Sequence, residues 1–414
     1  MAINKEALRK FIAEMDGLLE GVGLNGDAKD FVKKTVIGDA IKSIEEEILQ
    51  ARNPKFYLVG RSGHGKSSLI NALCGKQVAI TNPTKPENVG SDVYQIPFPD
   101  RHACWEIVDS RGIFESTGAR GTEKIDVVEY LKEDIKKHMP DIILHVISSK
   151  ETRAASEDFK ALEAIKESLG YIPPAIMVLT HCDNEKPSTE WPFQSTLKWG
   201  SISERLKYVA KDILNSEAEA INSVQPYLGI TIQNWKAYCA VVPVVCAWDE
   251  DDRRLWNIET LQELIGDRLP RSAMLGFAQA SRRQKLLENL ARGITIRFST
   301  VAGTVGISPI PLSDFVVLVP LQSLLIAIIA GLSCRTASKE TVAEYLAAVG
   351  VNLAGGWGAR LFAQQLIKLI PILGMPISGC IAAAGTYAIG VSAEKYFFKN
   401  VVEKPDVDAA KRQI

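Results

Sequence analysis

Two rhythms divide the chain. Over residues 4–21 and 27–51, Leu, Ile, Phe and Val recur among charges at helical spacing, with the turn-like GLNGD between the two stretches. From residue 55 the rhythm shortens. Apolar runs at 55–60, 92–97, 103–109, 141–147, 175–180 and 240–246 predict strands, and most of the intervals hold helical stretches such as 123–138, 155–169 and 199–214. Strand and helix in alternation predict an α/β fold whose largely parallel sheet is covered on both faces. After Asp267 the strand pattern stops, and 273–398 reads as helix with Pro/Gly punctuation at 306–311 and 371–376. The tail KNVVEKPDVDAAKRQI reads as frayed. The expected organisation is an N-terminal helical segment over 1–51, an α/β domain over 52–270, an all-α domain over 271–398 and a tail over 399–414.

Composition narrows the classes. With 414 residues, 46% of them apolar, the chain can build two or three cores. A net charge of −1 removes any whole-protein case for a nucleic-acid binder. Locally, Arg271 to Arg297 holds six arginines and lysines against Glu288 alone, either a solvated helix face or a contact for anionic lipid or RNA. Seven scattered cysteines without a C-x-x-C pair read as reduced thiols of the cytoplasm. The N-terminus, MAINKEALRKFIAEMDGLLEG, is charged throughout and lacks the apolar run of a signal peptide.

The chemistry begins at YLVGRSGHGKSS, residues 57–68. Gly60 to Ser67 matches G-x-x-x-x-G-K-[ST] between a predicted strand and a predicted helix. Glycines let successive N–H groups converge on the β- and γ-phosphates of a nucleotide, the helix points its positive end at them, and Lys66 adds a cation. The Ser67 hydroxyl suits Mg²⁺, which prefers oxygen ligands. Asp109-Ser110-Arg111-Gly112 closes a second strand with D-x-x-G. There the carboxylate can hold Mg²⁺ through water and the Gly112 N–H can approach the γ-phosphate. Further strands end in Thr180-His181-Cys182-Asp183 and in Cys246-Ala247.

In this order the motifs resemble the translation-factor-related GTPases, particularly the Era/TrmE-like group. The resemblance implies a P-loop GTPase fold over roughly 52–270, with GTP or GDP and Mg²⁺ as ligands. It makes Asp183 the residue that accepts two hydrogen bonds from guanine, with Thr180 at the first position of [NT]-K-x-D and Ala247 offering an N–H to the guanine carbonyl. Adenine would leave such a carboxylate unpaired. The implied nucleotide site comprises Gly60, Ser62, Gly63, His64, Gly65, Lys66, Ser67 and Ser68 at the phosphates, and Thr180, His181, Asp183, Cys246 and Ala247 at the base. Lys66, Ser67 and Gly112 are the candidates for hydrolysis; Ser67, Asp109 and Thr84 are those for the metal.

Departures from the family pattern are also visible. His181 stands where the family has lysine, and either Thr81 or Thr84 serves as the threonine of the second motif. Ile113 stands where many GTPases carry a water-orienting glutamine, which implies slow intrinsic turnover and water held by a dimer partner, a K⁺ ion or a loop. Arg111 and His64 are nearby charged or titratable groups, either catalytic helpers or solvent-facing loop residues. An ATPase and a nucleotide-binding module without turnover are the alternatives; the THCD element speaks against ATP.

In the helical half, Phe315 to Cys334 is free of charge. Twenty helical residues span about 30 Å, the thickness of a bilayer core. Leu369 to Ala393 is also uncharged but split by Pro371 and Pro376. These segments are either the buried helices of a compact domain or hairpins at a membrane; the small residues Ser378, Gly379, Ala382 and Ala383 suit both. SPIPLSDFVVLVPLQSLLIAIIAGL and LIPILGMPISGCIAAAGTYAIGVSAEKYF are similar to a helical domain that follows Era-like GTPase domains in bacterial proteins and is often regarded as inner-membrane associated. That likeness covers roughly 300–398 and implies a membrane surface as partner through 271–398. The reading overall is a GTP-hydrolysing switch coupled to a helical domain, with a soluble protein or ribosomal partner as the alternative.

Overall fold

A computed structural model describes residues 5–20, 30, 32–44, 48–78, 90–101, 103–111, 126–153, 156–170, 172–188, 190–248, 253–305, 314–350 and 379–413. They fall into two compact units: an α/β unit, Asn53–Pro97 with Cys104–Ser281, and a helical unit, Met1–Arg52 with Phe98–Ala103 and Arg282–Ile414.

The α/β unit is built on an eight-stranded sheet. Its strands are β1 (Lys55–Val59), β2 (Gly90–Phe98), β3 (Ala103–Arg111), β4 (Ile142–Ser148), β5 (Ala175–Thr180), β6 (Ala218–Ala220), β7 (Ile230–Ile232) and β8 (Tyr238–Pro243), in the order β2-β3-β1-β4-β5-β8-β7-β6. β3, β1, β4, β5 and β8 run parallel to their neighbours in that series. Sequence reasoning expects such a sheet because β4 and β5 are continuous apolar runs, and both are buried along nearly their whole length. The closing pairs β8–β7 and β7–β6 are antiparallel. At three residues each, β6 and β7 are too short to print an alternation, which is why the sequence reading omits them.

One expected strand is two. The run at 240–246 divides at Val244: β8 completes the sheet, while β9 (Val245–Trp248) pairs antiparallel with β10 (Arg253–Trp256) in a separate ribbon. The helices of this unit are α3 (Lys66–Cys74), α4 (Val127–His138), α5 (Ser156–Leu169), α6 (Thr196–Tyr208), α7 (Ile258–Arg268) and α8 (Arg271–Ala280), and they cover both faces of the main sheet. Phe56 of β1 and Trp105 of β3 meet Phe277 of α8, with the Trp105 ring centroid 5.2 Å from Phe56 and 5.4 Å from Phe277. Tyr57, the next residue, belongs to the core that holds Leu131 and Ile135 of α4, and its hydroxyl donates to buried Asp134 (2.7 Å). The period-two alternation of the strand thus serves two different helix layers.

In the helical unit, α1 (Lys5–Glu20), α9 (Gln284–Val305), α11 (Lys339–Ala348) and α12 (Gly379–Lys399) pack against α10 (Asp314–Leu332), and α2 (Gly38–Ile44) packs against α9. Every residue of α10 from Leu318 to Leu332 is buried. Among the described residues no helix is long and apolar enough to cross a membrane. Close approach of α9 and α12 depends on small residues: a Cβ on Gly390 would lie 2.3 Å from the Thr295 side chain. Within the basic run at 271–297, Arg271 opens α8 in the α/β unit, while Arg292 of the helical unit pairs with Glu394. The tail corrects the expectation of fraying. Asp406 caps a short helix, α13 (Val407–Lys411), whose Val407 and Ala410 are buried against Ala384, Tyr387 and Ala388 of α12.

Candidate functional site

The candidate cradle is positioned by strand register. β1 and β4 run side by side, with Val59 opposite His145, so that the chain leaving β1 at Gly60 passes directly over Val146. A Cβ at Gly60 would lie 2.2 Å from the Val146 carbonyl oxygen, which no other residue could accommodate. Gly65, with φ of 86°, makes the left-handed step into α3. Ser67 and Ser68 fall in the first turn of α3, and Ser62 and Gly63 lie exposed at the loop's crest. The Lys66 ammonium reaches back across the loop to the carbonyls of Gly60 (2.7 Å) and Arg61 (3.1 Å).

Two loop side chains act as struts. Arg61 forks onto Asp158 through Nε (3.1 Å) and Nη2 (2.9 Å). His64 is not the solvent-facing group that sequence alone allows: it is 2% exposed, with Nε2 2.9 Å from Glu151 and Nδ1 3.3 Å from the Val146 carbonyl. Asp109 lies on β3 opposite Leu58 of β1 and is buried, next to the strand that feeds the loop. Thr81, Thr84, Gly112 and Ile113 lie outside the described residues.

The second cluster forms where β5 ends. The Thr180 hydroxyl donates to the His64 carbonyl (2.7 Å), fastening this strand end to the cradle. His181 adopts a left-handed conformation (φ 55°), and its Cε1 lies 3.4 Å from where a Cβ on Gly65 would stand. Burial pushes the His181 pKa down from its ordinary value. Cys182 is buried beneath, its thiol donating to the Leu179 carbonyl (3.2 Å) and pushed upward in pKa by that burial. Val244 N–H donates to the Leu179 carbonyl (2.7 Å), and this brings Cys246 and Ala247 of β9 to the same end of the sheet.

Asp183 is held from two sides by residues that sequence reasoning missed. Its carboxylate Oδ2 accepts from Arg254 Nη1 (3.0 Å), and Arg254 stands opposite Ala247 in the β9–β10 ribbon. Its carbonyl accepts from the ammonium of buried Lys198 (2.7 Å), which also serves the carbonyls of Glu185 (2.7 Å) and Pro187 (3.1 Å). The three donors of a lysine are thereby matched by three acceptors. Nothing local marks either residue, because Arg254 reaches the acid only through the β9–β10 pairing and Lys198 only through the fold of the 183–187 loop.

The structure thus brings together the cradle, Thr180, His181, Asp183, Cys246 and Ala247 in one unit, as the motif order anticipates. Residues 55–181 match the family described as "50S ribosome-binding GTPase". GTPase Der of Persephonella marina is 28% identical over 162 residues, covering 37% of this chain and 32% of Der. GTPase Era of Thermoanaerobacter sp. is 29% identical over 126 residues, covering 30% of this chain and 38% of Era. The chain therefore spans about a third of the length of these curated relatives. Among solved structures, a point variant of Aquifex aeolicus Era bound to GDP.AlF4- aligns over 63% of this chain and 69% of its own, with a TM-score of 0.31 and 19% identity. Motif order, parallel sheet and family match together identify residues 55–181 as an Era-like P-loop GTPase domain.

Proposed function

We propose that the protein binds GTP, hydrolyses it slowly to GDP and phosphate, and uses the change as a switch on its helical unit. The observation that carries this reading is the Thr180–His64 bond. It ties an acid of base-reading type, Asp183, at a fixed place relative to a phosphate-binding loop.

In this reading the N–H groups of Gly60 to Ser67 receive the phosphates, and Lys66 trades its loop carbonyls for phosphate oxygens. Asp183 accepts from the guanine edge, and the Ala247 N–H donates to its carbonyl. Ser67 and Asp109 present a hydroxyl and a carboxylate, hard oxygen donors that fit Mg²⁺. When bound, the ion would neutralise charge on the β- and γ-phosphates. Water attacks the γ-phosphorus in line, with Lys66 and the loop amides stabilising the transferred group. Ile113 in place of a glutamine supports slow turnover, with water held by a second copy of the chain, a K⁺ ion or a loop.

The test is a nucleotide titration with phosphate release. GTP and GDP should bind well above ATP, and Lys66→Ala should abolish binding. Asp183→Asn should weaken GTP and favour xanthosine triphosphate, because the substitution swaps an acceptor for a donor. Equal affinity for ATP would sink the guanine reading, and binding without released phosphate would leave a module rather than an enzyme.

A lipid surface as partner of the helical unit is a second reading, favoured by exposed Ile296 (52%) and Val402 (55%) there. Sedimentation with anionic liposomes under GDP and under a non-hydrolysable GTP analogue tests it; no nucleotide-dependent pelleting counts against it.

A further inference from the structure

We propose that Arg254 is a specificity-determining residue of the guanine site, holding the Asp183 carboxylate in the orientation that reads the base. The proposal rests on the guanine reading of Asp183 and goes beyond it. The contact is a single donor on one oxygen: Arg254 Nη1 lies 3.0 Å from Oδ2. A carboxylate offers about four lone-pair sites, so one guanidinium donor leaves room for the two N–H groups of a guanine edge. The arginine is therefore compatible with a bound base.

Placement follows from register. Ala247 and Arg254 are directly paired across the antiparallel ribbon, and paired residues direct their side chains to the same face. Ala247 is the residue whose N–H is expected at the guanine carbonyl, so the arginine extends along that edge toward the acid. A Trp191 ring lies 5.9 Å from its guanidinium carbon and limits where the group can swing.

A cation is needed here on energetic grounds. The Asp183 side chain is 14% exposed, and a base laid over it would remove more water from an ionised group. His181 stands where the family pattern has lysine. Lys198 is spent on three carbonyls rather than on a carboxylate. Arg254 is the cation whose contact with the reading oxygen is direct.

The experiment is a cycle on the full chain, titrated with ribose-labelled GTP, ATP and xanthosine triphosphate. Arg254→Ala should weaken GTP by about 10- to 100-fold, the range for truncating one partner of a largely desolvated charge pair, and Arg254→Lys should recover most of it. In the Asp183→Asn background, Arg254→Ala should change xanthosine triphosphate affinity less than about threefold, because the charged acceptor is gone. An equal loss in both backgrounds would mean that Arg254 merely supports the ribbon, and it would overturn the proposal. So would unchanged or tighter GTP binding by Arg254→Ala. If Asp183→Asn alone leaves the GTP preference unaltered, the guanine reading fails first and takes the proposal with it.

Discussion

Lys198 holds Asp183 by its main chain: the ammonium, with no solvent exposure, donates at 2.7 Å to the carbonyl of the acid whose carboxylate faces Arg254. Fifteen residues separate the two, and the contact closes the loop 183–187 around a single cation. Lys198 is fully buried, and burial lowers its pKa; away from water its three hydrogen bonds are strengthened. Lys198→Met keeps the apolar stem and removes the donors. Leaving buried carbonyls unmade costs about 1–3 kcal/mol each as an upper range. We expect a lowered melting temperature and GTP affinity reduced by at least about tenfold, since the loop that carries Asp183 loses its latch. Differential scanning calorimetry with nucleotide titration checks both, and an unchanged affinity would mean that the loop keeps its shape without the lysine.

Thr180 transmits position between the two halves of the candidate site. Thr180→Val preserves shape but deletes the donor to the His64 carbonyl. A net loss of about 1 kcal/mol in stability is expected. The nucleotide effect should exceed that, because cradle and base reader are then no longer fixed to one another. If guanine affinity falls only in proportion to stability, the bond is structural and the coupling argument is wrong.

Gly60 offers a steric test with no electrostatics in it. In Gly60→Ala the new Cβ collides with the Val146 carbonyl, and β1 and β4 are too tightly registered to move apart. The loop must shift, and loss of measurable nucleotide binding is expected while the sheet still folds. Circular dichroism and a nucleotide titration together decide this, and retained affinity would show that the cradle tolerates the displaced backbone.

What the sequence revealed and what it hid divide along one physical line. The cradle was legible because close backbone approach demands glycine at fixed spacing, and Gly60 and Gly65 meet that demand locally. Asp183 was legible because it follows a buried strand, β5. Arg254 lies 71 residues further along and reaches the acid only after β9 and β10 pair, a tertiary event that leaves no local periodicity. Apolar character in α10 could not choose between core and bilayer, because a helix that is apolar all round has no face to reveal. In the structure its neighbours cover Leu318 to Leu332.

His145 makes the α/β unit sensitive to acid. It lies in the core at 0% exposure, its Nδ1 2.6 Å from the Tyr238 hydroxyl, and burial pushes its pKa down to about 3. An unfolded histidine titrates near 6.5, so between these values the unfolded chain binds more protons and stability falls as pH falls. The contribution is complete above pH ~6.5, and at pH 5 the loss is about 2 kcal/mol. His145→Gln should be less stable at pH 7.5 yet show a flatter dependence between pH 7.5 and 5. Urea midpoints across that range check the slope, and parallel profiles for the two proteins would mean that other groups carry the acid sensitivity.

In the helical unit, Arg292 of the basic run has a structural role. Its Nε and Nη2 fork onto Glu394 at 2.8 and 2.9 Å, and the Glu394 side chain is 4% exposed. Tyr387 accepts from Nη1 at 3.3 Å, and these hydrogen bonds hold the guanidinium charged far above any accessible pH. Breaking a buried pair from one side is costly, on the order of 3–5 kcal/mol, because it strands the other charge. With Arg292 more than a third exposed, water offsets part of that, and about 1–3 kcal/mol is the expected destabilisation of Glu394→Ala. Arg292→Met with Glu394→Leu removes both charges at similar volume and should recover most of the loss. Liposome binding provides the counter-test: if Arg292→Met with Glu394→Leu folds normally but loses affinity for anionic vesicles, the arginine serves a lipid surface and its pairing with Glu394 is not its main task.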